Sequence, residues 1–277
     1  MKITRLLALG ICGIILHAHL PAKANTIMDT LTNKQKVLSF YKLIVGQRKA
    51  ELIPEFILED YKQHNPTVAQ GRHGITGMIN YLKTLPPPPV DAKSPIIRAI
   101  QEGDFVVTHL DIQFMGKRMA VIDLFKLKDG MLAEHWDAIQ EMPDQGGRAV
   151  TSTNGTAEID QTASAENSKG VVTQFYDAVI DKKPAAGFIK ADYVEHDIAV
   201  IASGENLDGY LQEDAERNIK IHRIVAEGDF AVVQSQFNRE GKAYVLYEIF
   251  RVENQLIAEH WSVEQAVPDG VETESMF

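Results

Sequence analysis

The sequence predicts an α+β fold built twice, and three observations carry that prediction. Glu134-His135-Trp136-Asp137 returns as Glu259-His260-Trp261-Ser262. A shift of 125 aligns residues 96–144 with 221–269 without a gap, and 17 of 49 positions are identical. The repeating unit is roughly 110 residues, too long for a solenoid repeat and the size of a domain. In each copy, segments of helical periodicity precede four segments separated by turn residues. That order predicts helices packed on one face of a curved antiparallel sheet.

The elements follow in chain order. Lys2 and Arg5 precede an apolar run from Leu6 to Leu16, then Ala22-Lys23-Ala24. This is the order of a cleavable secretory signal, residues 1–24, and predicts a periplasmic or secreted protein. The apolar run is too short to span a bilayer comfortably, so no membrane association is expected after cleavage. The first domain is expected over 25–144. Thr32 with Gln35 forms a capping-box pattern that opens a helix at about 33–50, with Val37, Phe40, Tyr41 and Ile44 on its apolar face. Pro54 interrupts, a short helical piece carries Phe56 and Ile57, and Asp60–Gly71 reads as a loop. Ile75, Met78, Ile79 and Leu82 mark a further helix that ends at Pro86–Pro89. Strands are expected at about 95–102, 104–114, 117–128 and 131–141, with Gly103, Gly116 and Asp129-Gly130 at the turns. Small polar residues predict a linker at 145–167. The second domain, 168–268, repeats the plan, with strands at about 219–227, 229–239, 242–253 and 255–265 and a fraying tail at 269–277.

Composition narrows the chemistry. The only cysteine, Cys12, lies in the leader, so the mature chain must fold without disulfides. The leader holds three basic residues and no acidic one. Its loss leaves 25 basic against 38 acidic residues, a net charge of −13. Such a protein repels nucleic acid and anionic lipid. The chain contains no Gly-rich phosphate loop leading into a helix and no Gly-x-Ser-x-Gly elbow. No nucleotide cofactor and no serine hydrolysis are therefore expected. His64, His109 and His135 are scattered, and no metal is expected.

Strand alternation sorts the candidate residues. Ala133, His135, Asp137 and Ile139 share one face of the last strand; on the second strand Val107, His109, Asp111 and Gln113 share a face. If Asp137 and His135 face the helix-covered interior, a carboxylate stands among apolar walls beside an imidazole. Desolvation raises its pKa, which suits it to removing a proton from carbon next to a carbonyl. His64 could then act as donor to the developing oxyanion. The competing reading of Asp137 is a strand-end carboxylate bonded to nearby backbone. Residues kept in both copies, Glu134, His135 and Trp136, read mainly as structural. Asp137 becomes Ser262 and His109 becomes Gln234, while Asp123 becomes Glu248. That contrast places the chemistry in the first copy. Tyr41 and Tyr176 read as core residues.

Tyr61-Lys62-Gln63-His64-Asn65-Pro66, Gly71-Arg72, Val121-Ile122-Asp123-Leu124-Phe125-Lys126 and Glu134-His135-Trp136-Asp137 together resemble the SnoaL-like proteins of the nuclear transport factor 2-like superfamily. The resemblance covers residues 33–143 and, more loosely, 168–268. It implies two tandem cone-shaped α+β barrels with apolar cavities, and a cofactor-independent cyclase, isomerase or lyase that uses an Asp as acid/base in aldol-type chemistry. By motif position that Asp is Asp137, with His64 and His109 near it. Asn65, Asp123, His135 and Phe125 are expected to contact the ligand, a small, largely apolar carbonyl compound. The second copy has Ser262 for the Asp and Glu195-His196-Asp197-Ile198 for Gln-His-Asn-Pro, and reads as degenerate. Family members commonly dimerise through the open sheet face, so the two copies are expected to form a pseudo-dimer with Trp136 and Trp261 buried between the sheets. The same resemblance is compatible with a binding module that catalyses nothing.

Overall fold

The computed structural model of the chain describes residues 30–87, 89, 93–143, 149–213 and 217–277. The expected leader, residues 1–24, lies outside them. Helix α1 (Asn33–Phe40) starts with the expected reciprocal bonds between Thr32 and Gln35, and continues as a π-helical stretch, Tyr41–Gly46. A single turn, α2 (Ile53–Phe56), follows. Ile57–Gln63, read as the end of a helical piece and the start of a loop, is instead a strand, β1, at the edge of the sheet. Its sequence conceals it. The strand is bulged against its partner, and its buried positions Ile57, Tyr61 and Gln63 skip Glu59 and include a polar residue, so the sequence shows no clean apolar alternation. Helix α3 (Gly71–Thr84) leads to the meander β2 (Ile96–Glu102), β3 (Phe105–Phe114), β4 (Lys117–Lys128) and β5 (Met131–Glu141). The sheet order is β1-β5-β4-β3-β2, with β1 parallel to β5.

The second half repeats this plan. Helix α4 (Ala165–Ile180) is capped by Ser164 and begins inside the expected linker. After it come β6 (Ile189–Glu195), α5 (Ile198–Ser203), α6 (Leu207–Glu213), β7 (Lys220–Glu227), β8 (Phe230–Arg239), β9 (Lys242–Glu253) and β10 (Leu256–Ala266). The order β6-β10-β9-β8-β7 reproduces the first sheet. The fold is thus α+β, with two five-stranded sheets each carrying helices. Among the described residues no helix is long and apolar enough to cross a membrane.

The faces turned away from the helices meet in one buried cluster. Ile122, Leu124, Trp136 and Ala138 pack with Phe230, Tyr247, Ile249 and Trp261. The contact is reciprocal, as in a two-fold dimer. Gln265 Oε1 accepts from Ile139 N at 2.9 Å, and Gln140 Oε1 accepts from Glu264 N at 3.0 Å. Lys34 bonds Glu227 at 2.7 Å, and Lys169 bonds Glu102 at 2.8 Å. The Arg98 guanidinium lies 4.0 Å over Trp261, and that of Arg223 lies 4.2 Å over Trp136.

The segment after each last strand closes this interface. In the expected linker, Asn154 O accepts from Arg98 Nη2 and Trp261 Nε1, each at 2.7 Å. Gly155 has φ of 90°, and a Cβ there would fall 2.6 Å from Glu259 Oε2, so only glycine fits. The tail expected to fray is instead buried at Met276 and Phe277. Its Phe277 O accepts from Trp136 Nε1 at 2.8 Å and Arg223 Nη2 at 2.6 Å. Tail and linker therefore play equivalent parts in the two halves.

Candidate functional site

The helix-covered face of the first sheet gathers a buried polar cluster. Asp123 on β4 pairs with Asp137 on β5 and with Thr108 on β3; Phe125 pairs with His135. On the edge strand, Gln63 stands beside His135. Four expected residues, Asn65, Asp123, His135 and Phe125, come together here with Asp137.

The hydrogen bonds fix most of these groups. His135 Nδ1 lies 2.8 Å from Gln63 Oε1 and Nε2 lies 3.1 Å from Asp123 Oδ1. Asn65 N donates to the same Gln63 Oε1 at 3.0 Å, which sets the orientation of that amide. Both ring nitrogens thus face oxygen acceptors, the arrangement an imidazolium satisfies. Burial works against its charge, but the bond to Asp123 and the fields of Asp137 and Asp123 outweigh it, raising the His135 pKa. Tyr41 OH donates to Asp123 Oδ2 and lies 3.0 Å from Thr108 Oγ1. Its pKa stands well above the usual value, from burial first and then from Asp123.

Asp137 is the exception. Asn65 Nδ2 donates to Oδ2 at 2.7 Å, and Asn65 Oδ1 is itself held by Thr67 N at 2.8 Å. Oδ1 is buried and has no hydrogen-bond partner among the described residues. Desolvation raises the Asp137 pKa; the nearby charge of His135 lowers it in part, and that of Asp123 raises it again. A carboxylate with one bonded and one unbonded oxygen, in such surroundings, can accept and return a proton.

His64 and His109 do not stand beside Asp137, and this corrects the expected constellation. Alternation continues past β1: Gln63 and Asn65 turn to the helix side, and His64 turns to the other. His64 stacks on Trp136 at 4.6 Å, bonds Ser275 O at 2.9 Å through Nδ1, and places Nε2 3.5 Å from Glu134. His109 pairs with Ile122, on the interdomain face. It is fully buried, and its Nδ1 takes a bond from Arg98 Nη1 at 3.1 Å. Burial and then the Arg98 charge hold its pKa well below 6.5, so it is neutral. Sequence reasoning missed Gln63 and gave Tyr41 only a packing role; an extended reading of Gln63-His64-Asn65 would have exposed the first.

His64, His109 and His135 do not meet, but a different set of possible ligands does. Ligand atoms of Asp123, His135 and Asp137 lie within 4.8 Å of one another. They could enclose a cation only after His135 gave up the proton it shares with Asp123.

In the second domain the polar pairs are rearranged. His260 lies 2.8 Å from Glu195 and 3.1 Å from Glu248. Burial opposes its charge, but the two carboxylates raise its pKa to about 10. Ser262 Oγ donates to Asp197 Oδ2 at 2.6 Å. Where the first domain pairs a loop amide with a strand carboxylate, the second pairs a loop carboxylate with a strand hydroxyl. Asp197 also accepts from Ala199 N and Val200 N at the start of α5, which leaves it a capping residue.

Residues 37–135 match the model of the SnoaL-like domain family. No curated protein sequence matches the chain. Among solved structures, IdmH from Streptomyces antibioticus, described as a candidate polyketide cyclase, is 20% identical with a TM-score of 0.34, covering 40% of this chain and 93% of its own. TsrD from Streptomyces laurentii is 19% identical with a TM-score of 0.30, covering 39% of this chain and 88% of its own. A candidate ketosteroid isomerase from Kribbella flavida is 12% identical with a TM-score of 0.32, covering 41% of this chain and 88% of its own.

Proposed function

We propose that the chain is a tandem pair of SnoaL-like domains whose first copy is a cofactor-independent acid/base enzyme. It acts as a cyclase, isomerase or lyase on a small, largely apolar carbonyl compound. The match of residues 37–135 to the SnoaL-like model supports the reading, and one observation carries it: Asp137 keeps an unbonded carboxylate oxygen in a desolvated setting. In the ionised form, Oδ1 takes a proton from carbon next to the carbonyl and later returns it. Asn65 orients the carboxyl group through Oδ2. His135 is bonded to Asp123, and among the described residues Asp137 is bonded only through Oδ2, by Asn65. The leader-like residues 1–24 support action outside the cytoplasm.

The test needs no named substrate. A panel of small ketones and β-diketones is incubated in D2O, and exchange at the α-carbon is followed by NMR. Asp137→Asn should slow exchange by about 10²–10⁴-fold. The wild-type rate should rise with pH through a value above the ordinary carboxylate range, because the base is the ionised form. Exchange undiminished in Asp137→Asn would remove the mechanism.

A second reading, a binding module without turnover, is favoured by the withdrawal of His64 and His109 to the interdomain face, which leaves Asp137 without the expected oxyanion donors. It predicts ligand binding that survives Asp137→Asn and no exchange in any variant.

A further inference from the structure

The second domain differs from the first in what its interior leaves unbonded. In the first, Tyr41 donates to Asp123, Thr108 stands beside both, and Leu110 fills the next position on β3. In the second, the equivalents are Tyr176, Glu248, Val233 and Ser235. Tyr176 OH, Glu248 Oε2 and Ser235 Oγ are all buried, with residue exposures of 0%, 1% and 0%, and none has a hydrogen-bond partner among the described residues. Buried polar groups are nearly always paired, so three orphans in one interior call for an occupant.

Their positions converge. Tyr176 belongs to the apolar cluster under α4, which includes Val233 and Phe250. Its ring meets Phe250 at 6.1 Å, and Phe250 meets His260 at 4.9 Å. Glu248 pairs with Val233 across β9 and β8, and Ser235 is the next residue on that face of β8. Phe237 follows on the same face, and the Arg217 guanidinium lies 5.1 Å from its ring. Arg217 is 6% exposed, and its Nε has no partner among the described residues. It lines a cavity of about 430 Å³ with Val179, Leu211, Ile219, Lys182 and Asn238. Val179, Leu211 and Ile219 pack in the same cluster as Tyr176. The volume falls in the range of small-molecule sites, and the cavity adjoins Tyr176, Ser235 and Glu248 through that cluster without being lined by them.

We propose that the C-terminal domain holds a binding site of its own, for a small apolar molecule carrying a hydroxyl group. Tyr176, Ser235 and Glu248 are its polar contacts, and the cavity at Arg217 is its entrance. A hydroxyl can donate to Glu248 Oε2 and accept from Tyr176 or Ser235. His260 already faces Glu248 at 3.1 Å, which favours a neutral donor over an amine. The site does not rest on catalysis in the first domain. The carboxylate it uses comes from β9, whereas Asp137 lies on β5.

Isothermal titration of the whole chain with 4-ethylphenol and with ethylbenzene tests it. The phenol should bind saturably and at least about tenfold more tightly, because the site leaves its own polar groups unpaired when the hydroxyl is missing. Tyr176→Phe and Glu248→Gln should weaken phenol binding. Ser235→Leu, which installs the side chain the first domain uses at this position, should abolish it while thermal unfolding is unchanged or raised. Equal affinity for the two probes, undiminished binding in Ser235→Leu, or no saturable binding of the phenol to wild type would each overturn the proposal.

Discussion

His135 and His260 occupy one position in the two domains and answer to different neighbours. Gln63 and Asp123 flank the first; Glu195 and Glu248 flank the second. The second pairing has a consequence for stability. His260 titrates at 6.5 when unfolded and at about 10 when folded. Its contribution is therefore fully present below 6.5, declines above it, and is lost as pH passes about 10. Burial alone would raise the Glu195 pKa, but the charge of His260 and the bonds from His260 and Tyr193 hold it below 4.5. Its contribution is present above 4.5 and is lost as pH falls. Urea unfolding of wild type and His260→Gln should thus differ most between these limits and converge toward pH 10. A gap that stays constant from pH 7 to 10 would mean that His260 is not charged in the fold. The identity of these histidines could be read from the repeat; their charge state could not, because the acceptors Gln63 and Glu195 come from a distant strand.

At the scale of elements, the stretch Gln63-His64-Asn65 shows how one strand edge serves two purposes. Its outer members orient His135 and Asp137, while His64 packs against Trp136. The Glu-His-Trp motif works the same way on β5: His135 faces the site, and Glu134 and Trp136 face the partner domain. Reading those shared residues as mainly structural fits Trp136 and Trp261, which are buried between the sheets. Arg98 belongs to this interface and not to the site. It stacks on Trp261 and donates to Thr153 O, Asn154 O and Thr156 O, and burial lowers its pKa to about 10. Arg98→Met should cost about 2–4 kcal/mol in chemical denaturation, from carbonyls left without a donor. The same variant should leave α-carbon exchange within about twofold, since nothing at Asp137 is touched. A loss of exchange without a loss of stability would return Arg98, and with it His109, to the site.

Within residues 31–277 the two sheets meet through the same positions of each half. Reciprocal bonds cross the interface in pairs, and the linker and the tail cover equivalent tryptophans. The face that meets the second sheet carries Ile100, Val107, Ile122, Leu124 and Trp136, which would stand in water without it. Residues 31–150 expressed alone should therefore self-associate, and light scattering should give twice the chain mass. A stable monomer would show that the second domain is not needed to cover this face.

The sequence by itself determined the repeat, the α+β class, the strand boundaries of both meanders to within a residue, and the exchange of Asp137 for Ser262 between the copies. Those features are local or periodic, and alternation and turn residues record them directly. Which face His64 and His109 occupy was decided only by the tertiary structure, as were the presence of β1 and β6 and the burial of the tail. Each depends on a register between segments far apart in the chain, and a shift of one residue in that register moves a side chain from the interior to the interface.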